Sequence, residues 1–177
     1  MNRDKLYQVA LSFLGKEASP LDRAPDDLAC AESVNNVHRI ALGVEIGGDL
    51  STTKMYVVIQ NSHLFYEVTE PGTGDIVLSP TGYVKTPNGH VGIMGDEGVV
   101  MSNNSLTGLW DKHIKLEDWK KRYGFVRYYR CTEPLPPPPP ASLSENPNRT
   151  ELTKEEAKWF STVLSWISQK ISKLWYN

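Results

Sequence analysis

Hydrophobic residues at the start of the chain recur with the spacing of a helix. Between residues 3 and 14 they occupy one side of a helical projection, and Gly15 is a residue that readily ends a helix. The pattern predicts a first helix whose apolar face packs on the rest of the domain. That face consists of Leu6, Val9, Ala10, Phe13 and Leu14.

A second helix is predicted from about residue 28 to residue 42, after a loop rich in proline and aspartate. Asp26 or Asp27 is expected to cap its start, and Gly43 is expected to end it. Cys30 falls in the first turn of this helix.

Further along the chain the hydrophobic pattern changes to short β-favouring runs separated by glycine, proline and asparagine. Several of these runs are predicted to form one antiparallel sheet, although 55–59 is equally compatible with a helix that packs on that sheet. Two helices followed by a sheet indicate an α+β fold. The runs are 55–59, 64–68, 75–78, 90–94, 99–103 and 125–130.

Prolines mark the end of this domain. Residues 134–140 contain six prolines around Leu135. Since proline has a fixed φ and no backbone N–H, this stretch is expected to be a stiff polyproline II spacer. We therefore divide the chain into a domain over 1–132, a linker over 133–150 and a C-terminal segment over 151–177.

The C-terminal segment is predicted to be one amphipathic helix. Thr153 and Glu156 have the spacing of a capping box, and the pattern continues to about Trp175. Its apolar face is expected to fold back on the domain, to self-associate, to dock on a larger assembly such as a virion, or to lie on a membrane surface. The face contains Trp159, Phe160, Val163, Leu164, Trp166, Ile167, Ile171, Leu174 and Trp175.

The composition limits which binding partners and which cellular compartment we expect for the protein. The chain has 177 residues, 40% of them hydrophobic, a net charge of −2 and a pI near 6.1. These values favour a globular protein without a general attraction to nucleic acid. Residues 1–15 lack the continuous apolar core of a secretory signal, so we expect synthesis in the cytoplasm, where Cys30 and Cys131 would remain free thiols.

The candidate chemistry centres on Cys30 and His90. A thiol in the first turn of a helix is activated by the partial positive charge there, which Asp26 and Asp27 partly oppose. His90 opens an apolar strand between Gly89 and Gly92 and is the expected general base. Because a lone cysteine is commonly a small core residue, the histidine carries the functional interpretation.

The strand that follows offers a third residue. If the hairpin joining 90–94 to 99–103 is symmetric, His90 lies opposite Asn103, whose amide would orient the imidazole. A shift of one residue in the pairing would give that role to Asn104 or Ser102 instead.

Other polar residues are expected to have structural roles. We expect His38 and His113 to be surface or hydrogen-bonded residues, and Asp75 to be a turn residue at the start of a strand. His63 is an alternative base without a comparable strand. Since no cluster has metal-ligand spacing, we predict a site without metal or cofactor.

Four blocks of the sequence resemble the NlpC-type and CHAP families of papain-like cysteine hydrolases. The resemblance covers about residues 1–131 and implies a minimal papain-like domain, with its N-terminal helices packed on an antiparallel sheet. It departs from the commonest NlpC pattern, which has Asp-Cys-Ser at the nucleophile. The blocks are Asp27-Leu28-Ala29-Cys30-Ala31, Gly72-Thr73-Gly74-Asp75-Ile76-Val77-Leu78, Asn88-Gly89-His90-Val91-Gly92-Ile93-Met94 and Met101-Ser102-Asn103-Asn104-Ser105.

By this resemblance, Cys30 is the nucleophile, His90 the base and then the acid, and Asn103 the orienting residue. The implied activity is hydrolysis of an amide or peptide bond in bacterial peptidoglycan, as in phage endolysins or tail-associated lysins. Transfer of the acyl group to an amine is compatible with the same residues. The competing hypothesis is a non-enzymatic binding or assembly protein on the same scaffold.

Overall fold

The computed structural model describes residues 2–19, 23–25, 28–82 and 88–132. Within these ranges the chain forms four helices and six strands, which confirms the α+β class. The predicted linker and C-terminal helix lie outside the described residues. In chain order, the elements are α1 (Asn2–Ser12), α2 (Cys30–Leu42), α3 (Thr52–Asn61), β1 (Phe65–Val68), β2 (Ile76–Ser79), β3 (His90–Met94), β4 (Val99–Asn103), β5 (Trp110–Lys115), α4 (Leu116–Arg122) and β6 (Arg127–Cys131).

The strands form one antiparallel sheet in the order β1-β6-β2-β3-β4-β5. Side chains alternate between its two faces. One face packs with the apolar sides of α1, α2 and α3, where Val91 and Met101 contribute to the core. The opposite face carries Val100 and packs with Trp119 of α4. The sheet therefore has a separate hydrophobic core on each side.

The helix that carries Cys30 begins differently from the prediction. Its N-cap is Ala29, which makes no side-chain capping hydrogen bond, so the expected cap at Asp26 or Asp27 is wrong. The end is as predicted, since Gly43 has φ 81° and its N–H bonds to the carbonyl of Arg39. Ala29 therefore leaves the first N–H groups of α2 without the usual N-cap partner.

The ambiguous run 55–59 belongs to a helix. Ser51 caps α3 by accepting a hydrogen bond from the N–H of Lys54, and Met55 and Ile59 are buried four residues apart. The apolar residues therefore follow helical spacing once the cap is recognised.

Two elements were not predicted, β5 and α4. In β5, Asp111, Lys112 and Lys115 interrupt the apolar pattern, because the strand lies at the edge of the sheet beside β4 alone. The short helix α4 has charged residues through most of its length and buries only Trp119. Both elements are held by tertiary contacts that a local hydrophobic pattern does not reveal.

The hairpin of β3 and β4 has a different register from the predicted one. Ile93 lies opposite Met101, whereas a symmetric hairpin would place it opposite Val100. The predicted register is therefore wrong by one residue. Continued to the start of β3, the observed register places His90 opposite Asn104.

The cause of the shift lies in the turn. The N–H of Val99 donates to the carbonyl of Asp96 at 3.0 Å, and the two central residues, Glu97 and Gly98, have φ values of 52° and 74°. Such values are typical of tight hairpin turns. Gly95 also bonds to the carbonyl of Val99, at 2.8 Å. Both Gly95 and Asp96 therefore face Val99. This extra residue on the β3 side shifts each following pair of the hairpin by one position.

Asp75 has the structural role expected of it, at the turn before β2. Its carboxylate is fully buried and forms a two-point ion pair with Arg130, with N–O distances of 3.0 and 2.7 Å. It also accepts the N–H of Gly72 at 2.7 Å. The carboxylate thus ties the turn to β6.

His38 was predicted to be either a surface residue or a hydrogen-bonded one. It is buried, so the second alternative is the correct one. Its Nδ1 lies 2.6 Å from the carbonyl of Val44, so Nδ1 carries the proton and donates it. Burial lowers the pKa of His38 below its ordinary value.

We expect the burial of His38 to make stability depend on pH. Because its pKa is lower in the folded than in the unfolded protein, the unfolded state binds a proton first as pH falls below about 6.5. Stability should therefore be full above that pH and decrease below it, down to the folded pKa. Urea unfolding at several pH values should show this slope in wild type and in the control His63→Gln, whose imidazole is exposed. A slope unchanged in His38→Gln would contradict the assignment.

In the described ranges, no helix is both long enough and apolar enough to cross a membrane.

Candidate active site

Cys30 is the first residue of α2 and lies at the border of the larger core. Its side chain is 8% exposed, among fully buried neighbours such as Ala29, Ala31 and Val34. Burial raises the pKa of Cys30 to about 11, and hydrogen bonds from the backbone N–H groups of Val91, Ala31 and Cys30 itself offset only part of that increase. Desolvation thus outweighs the helix start, and the resting group is a neutral thiol at pH 7.

The backbone N–H of Val91 connects this thiol to β3. The pairs between β3 and β4 end at Ile93 and Met101, before Val91 is reached. Val91 and Cys30 pack in the same core, and the N–H of Val91 lowers the pKa of the thiol against the larger effect of burial. Because Val91 follows His90 in the chain, this packing places the thiol near the peptide that carries the histidine.

His90 is held on three sides. Its Nε2 lies 3.1 Å from Oγ of Ser102 in β4. Its ring lies 4.9 Å from the ring of Trp119 and is stacked on Tyr123 at 5.6 Å with an interplanar angle of 18°. These contacts fix the orientation of the imidazole before any substrate binds.

Trp119 is itself fixed. It is fully buried, and its Nε1 donates to Oγ of Ser79 at 2.9 Å. Ser79 lies opposite His90 in the pairing of β2 and β3. The indole therefore forms a rigid apolar wall against the imidazole.

The glycines near His90 are required because the backbone of neighbouring segments of the sheet approaches them closely. A Cβ on Gly89 would lie 2.0 Å from the carbonyl oxygen of Ser79, and one on Gly92 would lie 2.5 Å from the carbonyl oxygen of Met101. No side chain fits at either position without moving backbone. The glycine-flanked motif therefore places His90 tightly between β2 and β4.

Ser102 rather than Asn103 is the residue of β4 that shares a face with His90. Continuing the observed register places Ser102 diagonally across from the imidazole, within reach of the 3.1 Å contact. Asn103 is buried and pairs with Trp110 of β5, and its side chain is directed to the opposite face. The observed shift is the one that places Asn104 opposite His90, and Ser102 reaches the imidazole from the diagonal position.

We expect Ser102→Ala to lower kcat by roughly 10- to 100-fold with a smaller effect on KM. A hydrogen bond to a charged imidazolium contributes about 1.5–3 kcal/mol, and each 1.4 kcal/mol corresponds to about a tenfold change in rate. Ser105→Ala, in the following turn, is the control. Steady-state kinetics would contradict the role if Ser102→Ala and Ser105→Ala were equally active.

Three residues of the site were missed by the sequence analysis: Ser79, Trp119 and Tyr123. Trp119 and Tyr123 follow a strand that was not predicted, and their four-residue spacing in a charged segment is only a weak signal of a helix. Ser79 is recognised as a residue of the site only from its position opposite His90 in the sheet.

The remaining candidates lie apart from this arrangement. Cys131 is a free thiol in the last position of β6, and burial raises its pKa to about 11. His63 is exposed, outside β1. Among the described residues, no group of three or more His, Cys, Asp or Glu side chains has an arrangement that could hold a metal ion.

Comparison of the chain with models of known protein families gives no match, and comparison with curated proteins gives none either.

Proposed function

We propose that this chain is a cysteine hydrolase that cleaves an amide bond of peptidoglycan through Cys30 and His90. The observation that carries the proposal is the packing of Cys30, at the start of α2, in one core with Val91, because Val91 is the neighbour of an imidazole that Ser102 orients. The papain-like arrangement and Asn103 as orienting residue remain predictions from the resemblance. Ser102 has the better geometry for that role.

The proposed reaction starts from the neutral pair. With Nε2 of His90 bonded to Ser102, the thiol proton of Cys30 passes to Nδ1. The thiolate then attacks the amide carbonyl, and the backbone N–H groups at the start of α2 stabilise the oxyanion. Collapse breaks the C–N bond, and the leaving amine takes the proton from the imidazolium. Water, deprotonated by His90, then hydrolyses the thioester and restores the thiol.

Burial raises the pKa of Cys30 to about 11, so a free thiolate is unfavourable at pH 7 and the proposed reaction requires proton transfer to His90. A buried anion without a partner is costly, so the charge forms only when the imidazole becomes positive beside it. The thiol would therefore react as part of a pair. This agrees with the rigid placement of His90 between Trp119 and Ser102.

Peptidoglycan as the substrate comes from the resemblance of the four sequence blocks to cell-wall hydrolases. The test is incubation of purified sacculi with the protein, followed by mass analysis of the soluble products. A new peptide N-terminus would identify a peptidase, and a free lactyl group would identify an amidase. If no bond is cut in sacculi of several wall chemistries, the substrate assignment fails.

A non-enzymatic binding or assembly role is the second candidate. The observation in its favour is the burial of Cys30, which is 8% exposed with a pKa raised to about 11, as for an ordinary core thiol. Iodoacetamide titration with peptide mapping discriminates the two. Fast alkylation of Cys30 relative to Cys131 at neutral pH supports the enzyme, whereas two equally slow thiols support the scaffold.

A further inference from the structure

We propose that Arg122 and Tyr123 form an anion-binding subsite beside Cys30 and His90, and that it takes a carboxylate group of the substrate. This inference rests on the proposed cysteine chemistry and adds the class of group that the substrate presents next to the scissile bond.

Arg122 differs from its two basic neighbours in α4. Lys120 pairs with Glu117 at 2.9 Å, and Lys121 pairs with Asp118 at 3.0 Å. Within the part of the chain that the structure describes, no carboxylate pairs with Arg122. The last turn of α4 thus holds two neutralised cations and one guanidinium whose charge is available to a ligand.

Tyr123 supplies a second donor. Its side chain is largely buried at 8% exposure, and no hydrogen bond joins its hydroxyl to another residue in the described ranges. Burial raises the pKa of Tyr123 above its ordinary value, with the charge of Arg122 acting in the opposite direction. The phenol therefore stays protonated at neutral pH and can donate its proton to an anion.

The contacts of Tyr123 place this pair of donors at the reacting groups. The guanidinium carbon of Arg122 lies over the Tyr123 ring, 5.5 Å from its centroid. The same ring stacks on His90 at 5.6 Å. Among the described residues, a cation without a carboxylate partner and a phenol without a hydrogen bond therefore meet at the ring that stacks on the proposed base, His90.

A carboxylate suits these donors better than a neutral group. A planar guanidinium and a phenol can both donate to the oxygens of one carboxylate, and bonds to an ionised acceptor are stronger than bonds to a neutral one. The peptides of peptidoglycan carry such carboxylates near their amide bonds. A substrate with a free carboxylate should therefore be preferred over its amide.

Two alkylating reagents test the subsite without the natural substrate. Iodoacetate and iodoacetamide alkylate a sulfur through the same iodomethyl carbon. Iodoacetate carries a carboxylate where iodoacetamide carries a neutral amide. Rates of modification of Cys30 are measured by peptide mapping, and their ratio is divided by the same ratio for glutathione. In wild type we expect this normalised ratio to favour iodoacetate by about tenfold, the size expected of a charge-assisted hydrogen bond.

Three variants show which residues cause the preference for iodoacetate. Arg122→Gln should remove the preference, and Tyr123→Phe, which keeps the ring on His90, should reduce it. Lys121→Gln is the matched control, because Lys121 already has Asp118 as its partner, and it should keep the wild-type ratio. An equal ratio in Arg122→Gln and wild type would overturn the proposal, as would resistance of Cys30 to both reagents. Failure to digest sacculi would instead count against the peptidoglycan assignment alone.

Discussion

Replacing Cys30 with alanine should abolish the release of soluble fragments from peptidoglycan, with a loss of about 10⁴-fold or more. Without the sulfur no acyl-enzyme forms, and the remaining binding and oxyanion contacts retain only a small part of the rate enhancement. Alanine is preferred to serine here because Cys30 lies among buried apolar residues, where a new hydroxyl would require a partner. The measurement is the initial rate of fragment release, with the folded state confirmed by circular dichroism.

The second cysteine provides the control for this experiment. Cys131 has a pKa of about 11, similar to that of Cys30, and is also a free thiol. It lies at the end of β6 and not at a helix start beside a histidine. Cys131→Ala should therefore retain activity close to that of wild type. Full lytic activity in Cys30→Ala, or an equal loss in both variants, would refute the assignment of the nucleophile.

Replacing Asp75 with asparagine should reduce the free energy of unfolding by about 3–5 kcal/mol, the usual cost of removing one partner of a buried ion pair. The substitution removes the negative charge that faces Arg130 at 2.7 Å and Arg3 at 3.8 Å, so the two guanidinium groups are left without their shared partner. It also weakens the bond to the N–H of Gly72. Urea unfolding followed by fluorescence measures the loss.

A surface pair gives the comparison for Asp75. Asp118 and Lys121 are also 3.0 Å apart, but both side chains are largely exposed to solvent. Asp118→Asn should therefore change the free energy of unfolding by less than about 0.5 kcal/mol. If Asp75→Asn were as stable as Asp118→Asn, the buried ion pair would not be the tie between the β2 turn and β6.

Local sequence patterns were sufficient to predict the two strands and the helix start that carry the proposed chemistry. The strands 90–94 and 99–103 have the bounds that the short β-favouring runs predicted, and Cys30 lies in the first turn of its helix. Both are short-range properties, because side chains of a strand alternate and a helix start depends on adjacent residues. The cap of that helix was predicted at the wrong residue, since Ala29 occupies the N-cap without a side-chain bond.

The partner of His90 depends on the turn. A symmetric hairpin and the observed one differ by a single residue at Gly95, and that residue moves Asn103 to the opposite face and brings Ser102 to the imidazole. The sequence contains the glycines that permit a tight turn, but two neighbouring registers satisfy the same apolar pattern. Only the packed sheet selects between them.

Sequence by itself determined the α+β class, the strand that begins at His90 and the helix start at Cys30, because each depends on residues that are neighbours in the chain. Tertiary structure alone decided that Ser102 holds the imidazole, that Trp119 and Tyr123 enclose it, and that Cys30 packs in one core with Val91. These contacts join residues far apart in sequence. Their formation depends on the register of β3 and β4 and on the packing of α2 and α4 against opposite faces of one sheet, which no local pattern specifies.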